Sequence, residues 1–327
     1  MTYPRALPLL VLWITAILPF SSFAAERVRA SYAAVNASQS PLWVARERGF
    51  YAKYALDVDL LYISSGSLNV QALVGGSVQF AAGGPAALEA RLRGPKLLVI
   101  ANPLGVLATN LVAVPAIASV AELKGKIGGI SRFGSSTHQG LRYLFRTHGL
   151  SVETDLKMLQ LGGDANRLAA LKIGKIDYTF LGAAASEQAK RQGFKVLATA
   201  QQMGIPFPWT SVVVNEPWLE ANRDTAYRYV KAVTEAIAFM KRNRPESERI
   251  IVKYMKLSDP QLAGVEYSFN AALFPDLPYP TLDGMRLILE NLAAENPELT
   301  HKDPKEFVDS TIVERLKRER FLETLTK

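Results

Sequence analysis

The chain has 327 residues, of which 49% are hydrophobic, and its formal net charge at pH 7 is +8. This length exceeds one ordinary hydrophobic core and predicts two globular domains. The absence of cysteine excludes disulfides and thiolate metal sites. The basic residues are spread along the chain, and the dense group at residues 315–320 is interleaved with Glu314 and Glu319, which is typical of a solvated helix face. No nucleic-acid-binding motif is present, so we expect no nucleic-acid partner.

The N-terminal segment has the pattern of an export signal. Arg5 precedes an apolar stretch at residues 7–20 that is short for a membrane span and contains proline. Ser22 and Ala24 then supply the small side chains of a cleavage site. We therefore expect residues 1–24 to be a cleaved signal peptide and the mature chain to be a periplasmic monomer. A retained N-terminal anchor is the alternative.

From residue 26 onwards, short strand patterns alternate with helix patterns, and long helical patterns dominate after residue 214. Alternation of this kind predicts an α/β fold of mostly parallel sheets with helices on both faces. The predicted strands are residues 28–34, 57–63, 78–82, 97–100, 107–114, 127–130, 157–161, 176–181 and 195–199.

The order of these elements predicts two lobes. A second α/β lobe, residues 114–213, is expected to be inserted into a first lobe formed by residues 25–113 and 214–327. The chain would cross between the lobes near residues 113–116 and 211–214, and the C-terminal helices would pack on the first lobe. Because ligands bind beyond the carboxyl ends of parallel strands, we expect the Gly- and Ser-rich loops of both lobes to line a cleft.

Residues 130–140 form the most informative of these loops. The predicted strand ends at residue 130, and Ser135, Ser136 and Thr137 open an amphipathic helix. First-turn N–H groups lack an intrahelical acceptor and lie at the positive end of the helix dipole, so this junction predicts an anion-binding site. Ordinary N-capping without a ligand is the alternative. Arg132 is positioned for a bidentate contact with a carboxylate or sulfonate, or else points into solvent.

Three segments carry a family resemblance: PLWVARERGFYAKYALDVDL (residues 41–60), AELKGKIGGISRFGSST (residues 121–137) and LGGDANRLAALKIGKID (residues 161–177). They resemble the corresponding segments of periplasmic solute-binding proteins of the nitrate/sulfonate/taurine ABC-transporter family. The resemblance covers the mature chain to about residue 250. It implies a two-lobed periplasmic-binding-protein fold that closes around a small solute and delivers it to an ABC permease in the inner membrane.

In that family the strand-to-helix loops hold the solute, and here the crossover near residues 207–210 also faces the cleft. The candidate ligand-binding residues are therefore Ser38, Gln39, Ser40, Ser65, Ser67, Gly84, Arg132, Phe133, Ser135, Ser136, Thr137, Gly182, Ala183 and Trp209. Trp209 is expected to contact an apolar part of the solute, with packing in the hinge core as the alternative. We expect Trp43 in the core, Asp164 at a helix cap and Arg167 in an interlobe or surface salt bridge.

No catalytic pattern is complete. Gly134, Ser136 and His138 approach a nucleophile elbow but lack its second glycine. His138, His148 and His301 are too scattered for a His-based metal site. We therefore expect neither catalysis nor a cofactor.

The expected function is the capture of a small organic anion, of sulfonate or carboxylate type, for an ABC importer. A sensory solute receptor of the same fold, docking on a membrane kinase or chemoreceptor, remains an alternative. A pyrimidine-precursor-binding or processing protein is a further one. The enzymatic members of that branch carry a Cys-rich motif, which this chain lacks.

Overall fold

The computed structural model describes residues 25–155 and 157–325. The predicted signal peptide, residues 1–24, lies outside this part of the chain. Across the described residues, no helix combines the length and the apolar character that a membrane crossing requires.

Eight of the nine predicted strands form in the predicted order, with shifts at their ends. The predicted strand at residues 78–82 makes only isolated bridges, at Phe80 and Ala81, and residues 206–215 form a strand where only an apolar crossing at residues 211–214 was expected. The interior strands at residues 110–113 and 178–181 are fully buried and mostly apolar, whereas the edge strands at residues 157–160 and 195–198 are partly exposed. The strands are β1 (Glu26–Tyr32), β2 (Leu56–Tyr62), β3 (Leu97–Val106), β4 (Asn110–Ala113), β5 (Ile127–Ile130), β6 (Lys157–Gln160), β7 (Tyr178–Leu181), β8 (Lys195–Ala198) and β9 (Pro206–Asn215).

Helices cover both lobes. Within the described residues, short 3-10 helices lie at Ala37–Gln39, Ala121–Leu123, Pro297–His301 and Pro304–Phe307. The α-helices are α1 (Ser40–Glu47), α2 (Phe50–Lys53), α3 (Gly66–Val74), α4 (Gly84–Arg91), α5 (Ser136–Thr147), α6 (Val152–Asp155), α7 (Asp164–Lys172), α8 (Ala183–Arg191), α9 (Ala200–Met203), α10 (Glu216–Ala221), α11 (Arg223–Arg242), α12 (Arg244–Met255), α13 (Gln261–Ala271), α14 (Leu282–Ala293), α15 (Thr311–Arg318) and α16 (Phe321–Thr324).

The two sheets have the same strand order. In the first lobe β2 pairs with β1, Ala30 bridges in parallel to Phe80, Ala81 bridges to Val213 of β9, and β9 pairs antiparallel with β3. In the second lobe the order is β6-β5-β7-β4-β8. Each sheet therefore contains one antiparallel strand in its interior, β9 in the first lobe and β4 in the second. The carboxyl ends of the parallel strands lie at one edge of each sheet, as the cleft requires.

These pairings move the lobe borders from where the sequence analysis placed them. Residues 110–113 were expected in the first lobe, but β4 pairs with β7 and β8 and so belongs to the second sheet. Most of β9 was expected in the second lobe, but it pairs with β3 in the first. Both strands are interior strands buried by neighbours on each side, and such strands read as uninterrupted apolar runs without a border signal.

Of the C-terminal helices, α11 and α12 pack on the first lobe, whereas α13 and α14 also contact helices of the second lobe. Phe80 stacks on Tyr229 of α11, with the ring centroids 3.9 Å apart, and the two side chains lie in one core with residues of β1 and β3. Trp43 is fully buried in the same core, where its indole stacks on Tyr254 of α12 at 5.0 Å. These aromatic pairs hold α11 against the sheet and α12 against α1, so this lobe is built from both ends of the described chain.

The loop before α4 depends on a glycine that cannot be replaced without moving backbone. Gly83 has φ +118°, and a Cβ there would lie 2.7 Å from the carbonyl oxygen of Gly66. We expect Gly94→Ala, at φ +125° in open space, to cost about 1–3 kcal/mol of unfolding free energy for the backbone conformation alone. Gly83→Ala should cost about 1–3 kcal/mol more for the added steric conflict. Denaturant unfolding of both variants measures the difference, and equal losses would contradict the close approach.

Candidate ligand cleft

The loops at the carboxyl edges of the two sheets line a cavity of about 60 Å³ that opens to solvent. Both lobes line it, and most of the side chains are small and polar. The lining residues are Ala33, Ala34, Asn36, Ser38, Gln39, Ser65, Gly66 and Trp209 from the first lobe and Ser131, Ser135, Ser136, Thr137, Gly163, Asp164 and Arg167 from the second.

The first turn of α5 forms one wall of this cavity. Ser135 is its N-cap, and its hydroxyl accepts from the N–H of His138 at 3.4 Å while donating to the carbonyl of Arg132 at 2.6 Å. The hydroxyls of Ser131 and Thr137 lie 2.8 and 3.0 Å from that of Ser135. This network fixes the turn. The N–H groups of its first residues have no carbonyl one turn earlier, so they are available to a ligand.

A buried neutral histidine supports the same loop from behind. Burial lowers the pKa of His138 to about 4, and the positive charge of Arg142 contributes in the same direction. Its Nδ1 accepts from the N–H of Gly134 at 3.0 Å, so the neutral ring carries its proton on Nε2. The ring of Phe133 meets the imidazole edge-on at 5.2 Å. His138 therefore holds the loop as an acceptor and does not line the cavity.

The charged groups in the cavity wall are Asp164 and Arg167, which compensate one another. Arg167 is 3% exposed, pairs with Asp164 one turn earlier, and donates through Nε to the carbonyl of Phe180 at 3.3 Å. Oδ2 of Asp164 accepts from the N–H of Gly182 at 2.8 Å and from Asn36 of the first lobe at 3.2 Å. The pair leaves the cavity wall without net formal charge.

Half of the candidate residues lie together around the cavity. They are Ser38, Gln39, Ser65, Ser135, Ser136, Thr137 and Trp209. Trp209 is half-buried, whereas its neighbour Phe207 is fully buried, with the two ring centroids 6.2 Å apart. Trp209 thus presents part of its indole to the cavity, and Phe207 is a core residue.

The other candidates lie outside the cavity. Gly84 is packed against β9, where a Cβ would lie 2.5 Å from the hydroxyl of Ser211. Ser40 is fully buried and donates to the carbonyl of Ala37 at 2.6 Å. Gly182 and Ala183 are adjacent to the Asp164 carboxylate, and Gly182 donates its N–H to that carboxylate rather than to the cavity.

Arg132, Phe133 and Ser67 lie at the rim. Arg132 is exposed and lines an open depression next to the cavity, so the cation in the cavity wall is Arg167 and not Arg132. Phe133 is 51% exposed, and its carbonyl accepts from the hydroxyl of Ser67 at 2.7 Å, which joins the two lobes. A loop side chain has no periodicity from which its direction can be read, and the structure places Arg132 and Phe133 at the rim and not in the cavity wall.

Sequence reasoning gave Asp164 and Arg167 structural roles outside the cleft. Asp164 is the first residue of α7 and Gly163 is its N-cap. The salt bridge of Arg167 is buried and lies within the second lobe, not at the surface or between lobes. The Asp-x-x-Arg spacing, which places both side chains on one helix face, was the available signal.

Among the described residues, none of the groups of His, Asp or Glu side chains is arranged to hold a metal ion. The equal strand order of the two lobes and the cleft between their loop edges define the periplasmic-binding-protein fold. Residues 36–247 match the family described as NMT1/THI5 like. The chain belongs to this family.

Similar proteins agree with this assignment. A protein of Brucella abortus (strain 2308) that is described as a binding protein is 28% identical over 242 residues, which cover 72% of this chain and 73% of that one. The alkanesulfonate-binding protein SsuA from Xanthomonas axonopodis pv. citri, solved with MOPS, is 20% identical with a TM-score of 0.72 and matches 88% of this chain and all of that chain. The nitrate-binding protein NrtA from Synechocystis PCC 6803 is 14% identical, also with a TM-score of 0.72, over 90% of this chain and 89% of that one.

The neutral state of His138 predicts a pH dependence of stability. Its folded pKa of about 4 lies below the ordinary value of 6.5, so between these values the unfolded chain binds more protons and stability falls as the pH is lowered. We expect His138→Gln to reduce the stability lost between pH 7 and pH 4.5 by about 2 kcal/mol. Denaturant unfolding at a series of pH values measures this loss. His301→Gln is the control because His301 is exposed, and parallel curves for the native protein and His138→Gln would refute the assignment.

Proposed function

We propose that this protein is the periplasmic solute-binding component of an ABC importer and that it captures a small organic anion of sulfonate or carboxylate type without transforming it. The observation that carries the proposal is the first turn of α5, which lines a cavity enclosed by both lobes. The family and the resemblance to sulfonate- and nitrate-binding proteins support it.

The geometry favours a solute with one anionic head and an apolar body. The head would accept from the first-turn N–H groups and from the hydroxyl of Ser136, where the helix dipole also favours negative charge. The exposed part of Trp209 forms an apolar wall for the rest of the solute. Because Asp164 and Arg167 compensate each other, no surplus cation is present in the wall for a second negative charge.

Binding would proceed by closure of the two lobes. One lobe binds the solute first, and the second then covers it and shifts the equilibrium between open and closed forms. Support for binding without catalysis comes from the lining itself. The described residues that form it include no histidine or lysine, and the hydroxyl of Ser135 donates to a backbone carbonyl rather than to a base.

A thermal-shift screen of the mature protein tests the proposed ligand class. The screen compares alkanesulfonates, taurine, MOPS, aliphatic and aromatic carboxylates, nitrate, phosphate and pyrimidines. We expect monoanionic sulfonates or carboxylates with an alkyl or aromatic body to raise the midpoint of unfolding most, since they fit both the helix end and the Trp209 wall. Stabilisation by cationic or neutral solutes alone would overturn the anion assignment.

Two substitutions at Ser136 separate its hydroxyl from its N–H group. Ser136 is the first residue of α5, where proline is well tolerated, and Ser135 before it is extended, as a residue before proline must be. With the best solute of the screen, we expect Ser136→Pro, which removes both donors, to weaken the affinity about 10- to 100-fold. Ser136→Ala, which keeps the N–H, should weaken it less. Isothermal titration calorimetry measures the affinity of both variants. Equal affinities for the native protein and Ser136→Pro would show that the start of α5 does not bind the anion.

Trp209 and Arg132 give a second comparison. We expect Trp209→Ala to weaken the affinity for an alkyl or aromatic anion about tenfold, because the apolar wall is lost, and Trp209→Phe to retain most of it. Arg132→Ala should leave the affinity within about twofold, since its guanidinium lies at the open rim, where surface charges contribute little. A tenfold loss of affinity in Arg132→Ala would instead indicate that its guanidinium contacts the solute.

A further inference from the structure

Glu266 connects the two lobes through a single buried carboxylate. It lies on α13 and is 1% exposed. Its Oε2 accepts from the N–H of Ala37 at 2.9 Å, and its Oε1 accepts from the N–H of Ala184 at 2.8 Å. Ala37 belongs to the loop after β1 in the first lobe, and Ala184 belongs to the first turn of α8 in the second. One side chain therefore bonds to a cleft loop of each lobe.

The helix that carries Glu266 is part of the first lobe. Ala263 and Tyr267 of α13 pack with Ile251 of α12 and with Ala37 in one small buried cluster. The hydroxyl of Tyr267 also donates to the carbonyl of Met240 on α11 at 2.6 Å. The contact with Ala37 is therefore retained when the lobes separate. The contact with Ala184 joins α13 to α8 of the second lobe, so it would be lost if the lobes separated there.

The carboxylate is held by neutral donors. Besides the two backbone groups, Nδ2 of Asn270 donates to Oε2 at 3.2 Å. Burial raises the pKa of Glu266 to about 7, the negative charge of Asp164 contributes in the same direction, and the backbone donors oppose the rise. A buried carboxylate without a cationic partner depends strongly on each donor, so the Ala184 N–H is a substantial part of its environment.

We propose that Glu266 is a positioning residue that acts as the protein's own anion in the cleft: its carboxylate occupies the donors of Ala37 and Ala184 and thereby stabilises the closed arrangement of the lobes. The acidic head of the solute is then expected at donors that no protein carboxylate uses, among them the first turn of α5. This accounts for the position of Gly182 and Ala183, which were expected to contact solute and instead lie beside donors that protein carboxylates already use. The consequence for solute affinity rests on the proposed function, whereas the effect on closure does not.

Closure can be measured without any solute because the chain has no native cysteine. Cysteines placed at Val74 on α3 and at Ile173 after α7, which are 49% and 78% exposed, allow donor and acceptor dyes to be attached to opposite lobes. Single-molecule energy transfer at pH 8.5, above the pKa of about 7 of Glu266, then reports the closed fraction. We expect Glu266→Ala to lower the closed fraction of the solute-free protein about tenfold relative to the open one, since a charge-assisted hydrogen bond across the cleft is lost.

Chemical rescue distinguishes this role from a general structural one. In Glu266→Ala the removed carboxylate leaves space beside the two N–H groups, so added formate should restore closure, and chloride at equal ionic strength should not. Glu266→Gln keeps the volume but presents an amide N–H₂ to one donor. It should therefore be more open than the native protein and insensitive to formate. Glu298→Ala, at an exposed glutamate, is the matched control and should remain as closed as the native protein.

Each outcome decides the proposal. A closed fraction in Glu266→Ala equal to that of the native protein, or a lowered fraction that formate does not restore, would overturn it. If Glu266→Ala does not fold, a native closed fraction in Glu266→Gln would overturn it equally. Failure of every solute in the thermal-shift screen would count against the proposed function alone, because the energy-transfer measurement requires no solute.

Discussion

Unpaired backbone N–H groups at the facing edges of the two sheets are the constraint on which the cleft depends. Several chain segments enter helices there, and each brings first-turn N–H groups that need acceptors once water is excluded. The hydroxyl of Ser135 accepts from the N–H of the third residue of α5, and the carboxylate of Asp164 accepts from that of Gly182. The carboxylate of Glu266 accepts from one loop of each lobe. At the start of α5 the N–H groups of the first two residues are not satisfied by a protein side chain, and this turn lies in the wall of the cavity.

The same constraint shapes how the lobes meet. Around the cavity they touch through single polar contacts, such as the hydroxyl of Ser67 on the carbonyl of Phe133 and the amide of Asn36 on Asp164. Farther along α5, Gln139 donates to Glu89 of the first lobe at 2.6 Å. When such contacts separate, water replaces the lost partners, whereas opening an apolar interface would expose hydrophobic surface. The polar contacts around the cavity therefore favour reversible closure. Away from the cavity, Leu144 of α5 lies in one apolar cluster with Leu88 and Met285 of the first lobe.

The fold class could be predicted from the sequence because it depends on local patterns of apolar and polar residues. Alternating strand and helix patterns gave the α/β class, and the hydroxyl residues before residue 138 gave the start of α5 correctly. The site was accessible only in part. Arg132 and Arg167 are both basic residues near a Gly-rich loop, and the sequence does not show which of them lies in the cavity wall. Arg167 is buried there and donates to the carbonyl of Phe180, which lies on a strand later in the chain. Glu266 had no local signal, because its partners lie 229 and 82 residues away in the sequence.

The charge balance of the cleft restricts the charge that the proposed solute can carry. The formal net charge of +8 belongs to the whole chain, and in the cavity wall Arg167 is already compensated by Asp164. The remaining attraction for an anion comes from partial charges at a helix start, equivalent to roughly half an elementary charge and effective over about one turn. That field suits a head group with one delocalised negative charge, such as a sulfonate or carboxylate. A dianion would bring a second charge toward Asp164 and Glu266, which already occupy the neighbouring donors, and repulsion from these carboxylates would disfavour its entry.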